Sequence, residues 1–466
     1  MKQLDEKPLE SNQMTKRISI ILLICIGLRL IFFLIVRPWN PEVEKYAIIV
    51  RDGRVYHELA STLLETGRFA KSSASPPEVL RTPLYPAFIA LNYWLFGHKP
   101  YSVMLFQIVI DTLSCFLLFK MLARLFDAKV ASLCSLFYAV DPFLILYSSR
   151  LVSEIVFVFF FIAGFYFLSY VIIAKRDRKA LINCGIAGLI LGLATWMRVI
   201  IMYIPFIIIV FFVVCFWRKP KVYVKYIVVV LLFFGLAISP WLIRNYVIFD
   251  RFSFSTSGSF NLLALYVVPM ETPIRNKDKH DVRRELLTEA EKMILADGLD
   301  PEKMNEFQRA EYWKRLALKY IKKDPVSFVK VYLLGVIHTF INLESSTYAV
   351  MLGKPRQQVD VKAYTNIFDL VKAFISHKSG IELFIAGFVF LYVLFSYISL
   401  GIGLLVSWKK YDWRALLLLL LISAYFILVT GAAGLARFRL PAIPFYLPFV
   451  VTGIMYLYEK SISRNK

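Results

Sequence analysis

Residues 16–36, KRISIILLICIGLRLIFFLIV, decide the class of fold. Lys16 and Arg17 lead into an apolar run over 18–36, long enough to cross a hydrocarbon core of about 30 Å as one helix. The run is too long for the apolar part of a signal peptide and no small-residue cleavage site follows, so it predicts a retained membrane helix. Nine more apolar runs follow, at 102–123, 130–148, 155–174, 180–197, 199–217, 226–243, 381–407, 415–433 and 443–458. The 466-residue chain is 58% hydrophobic, where soluble chains stand near about 45–50%. These numbers exclude a disordered or fibrous chain and a string of soluble domains. The expected fold is an all-α integral membrane protein of about ten transmembrane helices.

The net charge is +22. Such a balance often signals nucleic acid, but here the basic residues sit at the ends of apolar runs, where they orient a membrane protein. They crowd every second connection: Lys2, Lys7, Lys16 and Arg17; Lys120, Arg124 and Lys129; Lys175, Arg176, Arg178 and Lys179; Arg218, Lys219, Lys221 and Lys225; Lys409, Lys410 and Arg414; Lys460, Arg464 and Lys466. Taken as the cytoplasmic side, this places both termini inside and leaves two large outer segments, 37–101 and 248–380. The expected organisation is an N-terminal membrane module over 1–247 containing the outer loop 37–101, an extracytoplasmic segment over 248–380, and a C-terminal membrane module over 381–466. Cys25, Cys115, Cys134, Cys184 and Cys215 all lie inside apolar runs, so no disulfide framework is expected.

In the first outer loop, Val55, Tyr56, Leu59, Ala60, Leu63 and Leu64 recur at helical spacing and predict an amphipathic helix over 55–64 that stops at Gly67. Thr82 as N-cap and Pro83 at the first helical position open a second short helix. Neither is long enough to span, and both are expected to lie at the membrane surface. The second outer segment reads as partly helical, with charged helices over 281–296 and 304–323 parted by residues 297–301, an amphipathic run over 326–343, and a polar stretch to Gly380. There is no phosphate-binding loop of an ATPase, no dinucleotide fingerprint and no metal-binding cysteine cluster. The five histidines, His57, His98, His280, His338 and His377, are scattered.

Several polar residues stand out. Asp52, beside Gly53 at the start of the first loop helix, fits two roles: general base toward an acceptor hydroxyl, or N-cap of the helix. Glu154 opens a helix, where the dipole favours a carboxylate. Asp141-Pro142 reads as a helix end. Asp111 lies within a span, where a charge costs about 2.5–3.5 kcal/mol on insertion scales, so it should face the bundle interior in a structural role. Arg81, Arg150, Arg198, Arg244, Arg437 and Arg439 cluster at outer ends, against the inside bias. They suit either snorkelling to lipid headgroups or bidentate capture of phosphate. Arg437 and Arg439 follow the small-residue run Gly431-Ala432-Ala433-Gly434. An extended segment between Gly434 and Pro441 would place both side chains on one face, converging on one phosphate.

Together these stretches resemble the bacterial branch of the dolichyl-phosphate-mannose–protein mannosyltransferase family, which includes the lipid A aminoarabinose transferase type. The stretches are DGRVYHELASTLLETGRF (52–69), RTPLYPAFIAL (81–91), YSSRLVSE (147–154), GLILGLATWMR (188–198), PWLIRNY (240–246), KKDPVSFVKVYLLG (322–335) and ARFRLPAIP (436–444). The resemblance implies the GT-C glycosyltransferase fold and transfer of a sugar from a polyprenyl-phosphate donor to a lipid, glycan or protein acceptor on the outer face of the cytoplasmic membrane. It implies Asp52 as the catalytic carboxylate, with Glu154 as the second catalytic acidic residue. Candidate substrate-binding residues on these stretches are Tyr56, Arg81, Tyr85, Arg198, Arg244, Asn245, Arg437 and Arg439. No metal ligand set is assigned, and a divalent metal stays open as a cofactor. Eukaryotic members carry an Asp-Glu pair in the first loop; here Gly53 follows Asp52. The alternatives are a lipid-linked oligosaccharide polymerase or ligase, and a lipid or sugar transporter. A transporter would show inverted halves or broken spans in matching positions, which this sequence lacks.

Overall fold

The computed structural model describes residues 11–173, 178–218, 220–354 and 379–464. Lys2, Lys7, Lys175, Arg176, Lys219 and Lys466 of the basic clusters, His377, and most of the polar stretch before Gly380 lie outside the described residues. Among the described residues there is no strand. Nine helices among the described residues are long and apolar enough to cross a membrane: Asn12–Val36, Pro100–Leu125, Glu154–Ile172, Arg178–Thr195, Val199–Phe216, Tyr223–Phe249, Gly380–Lys410, Trp413–Ala433 and Ala436–Ser463. The remaining expected span, 130–148, consists of two helices, Ala128–Val140 and Pro142–Ser148, bent by 53°. The helix-end feature at Asp141-Pro142 is therefore a break inside a span. Proline removes a helix N–H at this point. Asp141 caps the second half by accepting from the N–H groups of Phe143 at 2.9 Å and Leu144 at 3.0 Å, and Tyr392 donates to its other oxygen at 2.9 Å.

Side-chain contacts fix which ends of the helices meet. Phe126 packs against Tyr411, Arg414 lies over the Phe216 ring, and Arg124 donates to the Tyr166 carbonyl. These contacts gather the basic connections at one end of the bundle. Asp52, Arg81, Glu154, Arg198 and Arg437 meet at the opposite end. The helix Gly380–Lys410 and the last helix, Ile443–Arg464, touch backbone to backbone. A Cβ on Gly403 would come within 1.7 Å of the Phe449 carbonyl oxygen. Small residues at such crossings replace a hydrophobic driving force that lipid cannot supply.

Beyond the bundle, helices Lys279–Ala296 and Glu306–Lys323 close over a small core of their own, built with Leu263, Val267, Val282, Leu286 and Leu316. A capping box at Asn305 and Gln308 starts the second of them. Helix Pro325–Ile341 then turns away by 105° and packs along the bundle.

Asp111 faces the interior as expected, and its partner is Arg29 of the first span. Both are fully buried, with Arg29 Nε 2.5 Å from Asp111 Oδ2. Tyr138 donates to Asp111 Oδ1 at 2.5 Å, and Arg29 Nη1 donates to the carbonyls of Cys25 at 3.0 Å and Ala139 at 2.8 Å. The network ties three spans together without leaving the pair unsatisfied. Removing one partner of a buried pair strands a charge and typically costs about 3–5 kcal/mol, whereas replacing both with apolar residues is often neutral. Arg29→Leu and Asp111→Leu should each lower the thermal midpoint in detergent sharply, and the double variant should recover most of the loss. A double variant as unstable as the sum of the singles would contradict this reading.

Candidate active site

The chain leaves the first span through two short turns, Pro41–Val43 and Glu44–Ile48, and then reverses at Arg51. Arg51 sits at φ 52°, ψ −121°, a conformation that costs a non-glycine residue about 1–3 kcal/mol. Helix Asp52–Thr66 starts at once, earlier than the expected 55–64. Gly53 permits the tight reversal: a Cβ there would lie 2.3 Å from the Ile48 carbonyl oxygen. The N-cap role for Asp52 is not realised, because Arg51 occupies the cap position and no side chain caps the helix. The Asp52 carboxylate is used elsewhere. Arg81 Nη2 donates to Oδ1 at 2.5 Å, and Arg437 Nη1 donates to Oδ2 at 2.7 Å.

Local hydrogen bonds aim Arg81. Glu78 Oε1 accepts from the backbone N–H groups of Val79, Leu80 and Arg81 at 3.1, 2.6 and 3.2 Å. Thr82 does not cap the next helix, Leu84–Phe96, in which Pro83 takes the cap position. Its hydroxyl donates instead to the Met197 carbonyl at 2.8 Å, and Leu84 N donates to the Trp196 carbonyl at 3.1 Å. The loop carrying Arg81 is thereby fastened to the loop carrying Arg198.

Glu154 begins its helix with 2% of its side chain exposed; Arg198 Nη1 lies 2.8 Å and Arg437 Nε 3.5 Å from its Oε1. Its Oε2 is buried and has no hydrogen-bond partner among the described residues. Arg81, Asp52, Arg437, Glu154 and Arg198 thus form an alternating row of three cations and two anions. Burial pushes the Asp52 carboxyl up, but the guanidinium groups of Arg437 and Arg81 outweigh it and hold the carboxyl below its ordinary range. Asp52 is therefore ionised at neutral pH, and by formal charge the row of three arginines and two carboxylates has one cation in surplus.

The other sequence candidates surround this row without joining it. Tyr56 lies under Arg81 at 5.9 Å and packs edge-on against Tyr85 at 4.9 Å. Tyr85 donates to Gln107 Oε1 at 2.7 Å, and Gln107 Nε2 donates to the Arg150 carbonyl at 2.8 Å. These residues form a wall behind the carboxylate. Arg244 donates to Asn245 Oδ1 at 2.7 Å, and Asn245 Nδ2 donates to the Ser253 carbonyl at 2.7 Å; the pair braces the loops behind the site. Arg439 points away from Arg437. The segment Ala436–Ala442 is a 3₁₀ helix and not the expected extended segment. Three residues per turn separate neighbours two apart by about 120°, so the two arginines cannot converge on one phosphate. Arg439 donates to the carbonyls of Phe340 at 2.6 Å and Asn342 at 3.0 Å and stacks on the Phe143 ring at 3.5 Å.

A cavity of about 350 Å³ opens beside Asp52 and Arg437, within the size range of small-molecule sites. Its wall also includes Arg51, Tyr147, Arg150, Asn342 and Glu344. Of these, Arg150 was visible in the sequence as an outer arginine. Glu344 was not singled out; its only signal is a polar cluster, Asn342 to Thr347, directly after an amphipathic helix. Among the described residues no three His, Cys, Asp or Glu side chains stand together. Both candidate carboxylates face guanidinium groups, which repel a metal cation, so the arrangement as it stands does not fit one.

Gly53 offers a direct test of this geometry. Gly53→Ala should push the Asp52 helix off the Ile48 carbonyl, at about 1–3 kcal/mol for an overpacked position. The thermal midpoint in detergent should drop, and the contact between Asp52 and Arg437 should loosen. An unchanged midpoint would show that the reversal has room to spare.

The dolichyl-phosphate-mannose-protein mannosyltransferase family profile matches residues 80–243, from just before Arg81 to just before Arg244. No curated protein matches the chain in sequence. Solved structures resemble it over nearly its whole length. The apo oligosaccharyltransferase of Archaeoglobus fulgidus superposes with a TM-score of 0.55 at 14% identity, over 97% of this chain and 51% of that one. The same archaeal enzyme, AglB, in complex with an inhibitory peptide and a dolichol-phosphate gives 0.54 at 14% identity, over 96% and 50%. ArnT from Cupriavidus metallidurans bound to undecaprenyl phosphate gives 0.44 at 11% identity, over 96% and 77%. The chain spans about half the length of the archaeal enzyme. It is an all-α membrane protein with the GT-C glycosyltransferase fold, and over residues 80–243 it carries the profile of the dolichyl-phosphate-mannose-protein mannosyltransferase family.

Proposed function

We propose that the protein is a membrane glycosyltransferase that moves a hexose or pentose from a polyprenyl-phosphate donor to a lipid, glycan or protein acceptor, at the extracytoplasmic face of the cytoplasmic membrane. The observation that carries the reading is the alternating row of Arg81, Asp52, Arg437, Glu154 and Arg198 beside the cavity. A donor of this class is a phosphodiester with one negative charge, which matches the one net positive charge of the row. The family profile supports the same donor chemistry, as does the dolichol-phosphate held by AglB. The basic end of the bundle lies opposite the site, and the inside bias of Lys and Arg supports an extracytoplasmic site.

In the reaction, Asp52 accepts the proton of the acceptor hydroxyl as that oxygen bonds to the anomeric carbon. The bond from the anomeric carbon to the phosphate oxygen breaks, and its electron pair leaves with the polyprenyl phosphate. Arg437, with Arg81 or Arg198, stabilises the charge that grows there; donors fixed in advance are worth most where charge develops. The bond energy of the sugar phosphate drives the transfer, so no nucleotide site is required. Glu154 holds Arg437 and Arg198 in place.

Asp52→Asn should lower release of labelled sugar from a polyprenyl-phosphate donor by roughly 10²–10⁴, the usual contribution of a positioned base. In the free enzyme the two arginines keep the Asp52 carboxyl below its ordinary range. Its carboxylate form, and the activity, should therefore persist as pH falls and be lost only as pH drops through that lowered value. The acid limb of kcat/KM is expected below about pH 4, the ordinary aspartate value. Donor phosphate competes for Arg437, so the limb of kcat should sit at higher pH than that of kcat/KM. Near-parental turnover by the Asn variant would remove Asp52 from the chemistry.

A further inference from the structure

The loop 342–344 and the first turn of helix Ser345–Met351 face Asp52 across the cavity and take no part in the arginine row. Asn342, Glu344, Ser346 and Thr347 all line the space shared by Asp52 and Arg437. Glu344 occupies the left-handed region at φ 54°, ψ 20°, where residues other than glycine are uncommon. Its backbone N–H donates to Asn342 Oδ1 at 2.9 Å, and Thr347 Oγ1 donates to Glu344 Oε2. Among the described residues no hydrogen bond reaches Glu344 Oε1 and no ion pair involves Glu344, although Arg51, Arg150 and Arg437 line the same cavity.

The loop is held rigidly. Arg439, 2% exposed, donates to the Phe340 and Asn342 carbonyls before it. Tyr348 donates to the Pro142 carbonyl after it, at 2.5 Å. Arg439, expected to clamp phosphate, instead positions this loop. Sites that discriminate need side chains locked by such supports. A carboxylate accepts hydrogen bonds only. One that keeps an oxygen free of its neighbours suits a ligand rich in hydroxyl donors.

We propose that segment 342–347, a short loop and the helix turn that follows it, is the sugar-recognition subsite of the cavity, in which Glu344 accepts hydrogen bonds from hydroxyl groups of a neutral sugar ring carried by the donor. The proposal rests on the donor reading above and adds a residue that selects the sugar. Glu344 takes no part in proton transfer; it sets which sugar the phosphate site presents to Asp52. Such a site rejects a ligand that lacks the hydroxyl, because its own polar group is then left unpaired.

The test uses the full-length protein in nanodiscs and two kinds of probe: bare undecaprenyl phosphate, and undecaprenyl phosphate carrying glucose, galactose or mannose. The parent should bind one of the sugar-loaded lipids at least tenfold tighter than the bare lipid. Glu344→Gln keeps the shape of the side chain but gives up the charged acceptor. It should bind bare undecaprenyl phosphate as the parent does and lose about tenfold of the sugar-dependent margin. If the parent shows no margin for any of the three sugars, or if the Gln variant keeps it in full, the subsite is wrong while the donor reading stands. If the parent does not bind undecaprenyl phosphate at all, both fall.

Discussion

The contact between Asp52 and Arg437 joins residues 385 apart in the chain, and the rest of the site is arranged around it. Arg437 also faces Glu154, so one guanidinium serves two carboxylates from two different elements. Each carboxylate takes a further arginine, Arg81 or Arg198. The loops bearing those two arginines are themselves fastened together through Thr82 and Met197. Each charge is therefore compensated by a neighbour fixed by other means, which is the condition for holding charges in a partly dry site. The row ends in cations on both sides, and its central pair, Asp52 and Arg437, lines the cavity.

The backbone around Asp52 is shaped to the same end. Arg51 takes a strained conformation and Gly53 leaves no room for a side chain against Ile48. Both features let the helix begin at Asp52, three residues before the start that helix periodicity suggests. Without them Asp52 would cap its own helix, as its type and position in the sequence allow. The strain is repaid by the two guanidinium groups that the carboxylate reaches in its place.

The spans were legible because length and apolarity are local properties, and all ten expected runs correspond to helices. What the runs did not reveal is pairing across the bundle. Asp111 was visible as a charge in a span, but Arg29 was read as part of its apolar run. Their contact depends on how the first span packs against the second. The break at Asp141-Pro142 could be read as a helix end, because proline acts locally; its position inside a span could not. For the site, Asp52, Glu154, Arg81, Arg198 and Arg437 were all on the page as residue types near outer helix ends. Arg439 shows the limit. Two arginines in one short motif point to one shared task only if the backbone is extended, and the 3₁₀ turn separates them. Glu344 lies on a loop whose importance follows from Arg439 and Tyr348 gripping its ends, and no sequence pattern encodes that.

The central claim is that Asp52 and Arg437 act as a coupled pair. A double-mutant cycle with Asp52→Asn, Arg437→Gln and the combined variant measures this directly, with thermal stability and transfer from a polyprenyl-phosphate donor read in parallel. Residues in one charge network usually couple by about 0.5–3 kcal/mol. The account predicts a coupling in that range for stability, and a double variant scarcely less active than the worse single variant. Losses that simply add, in stability and in transfer alike, would mean that the two side chains work independently, and the account of the site would be wrong.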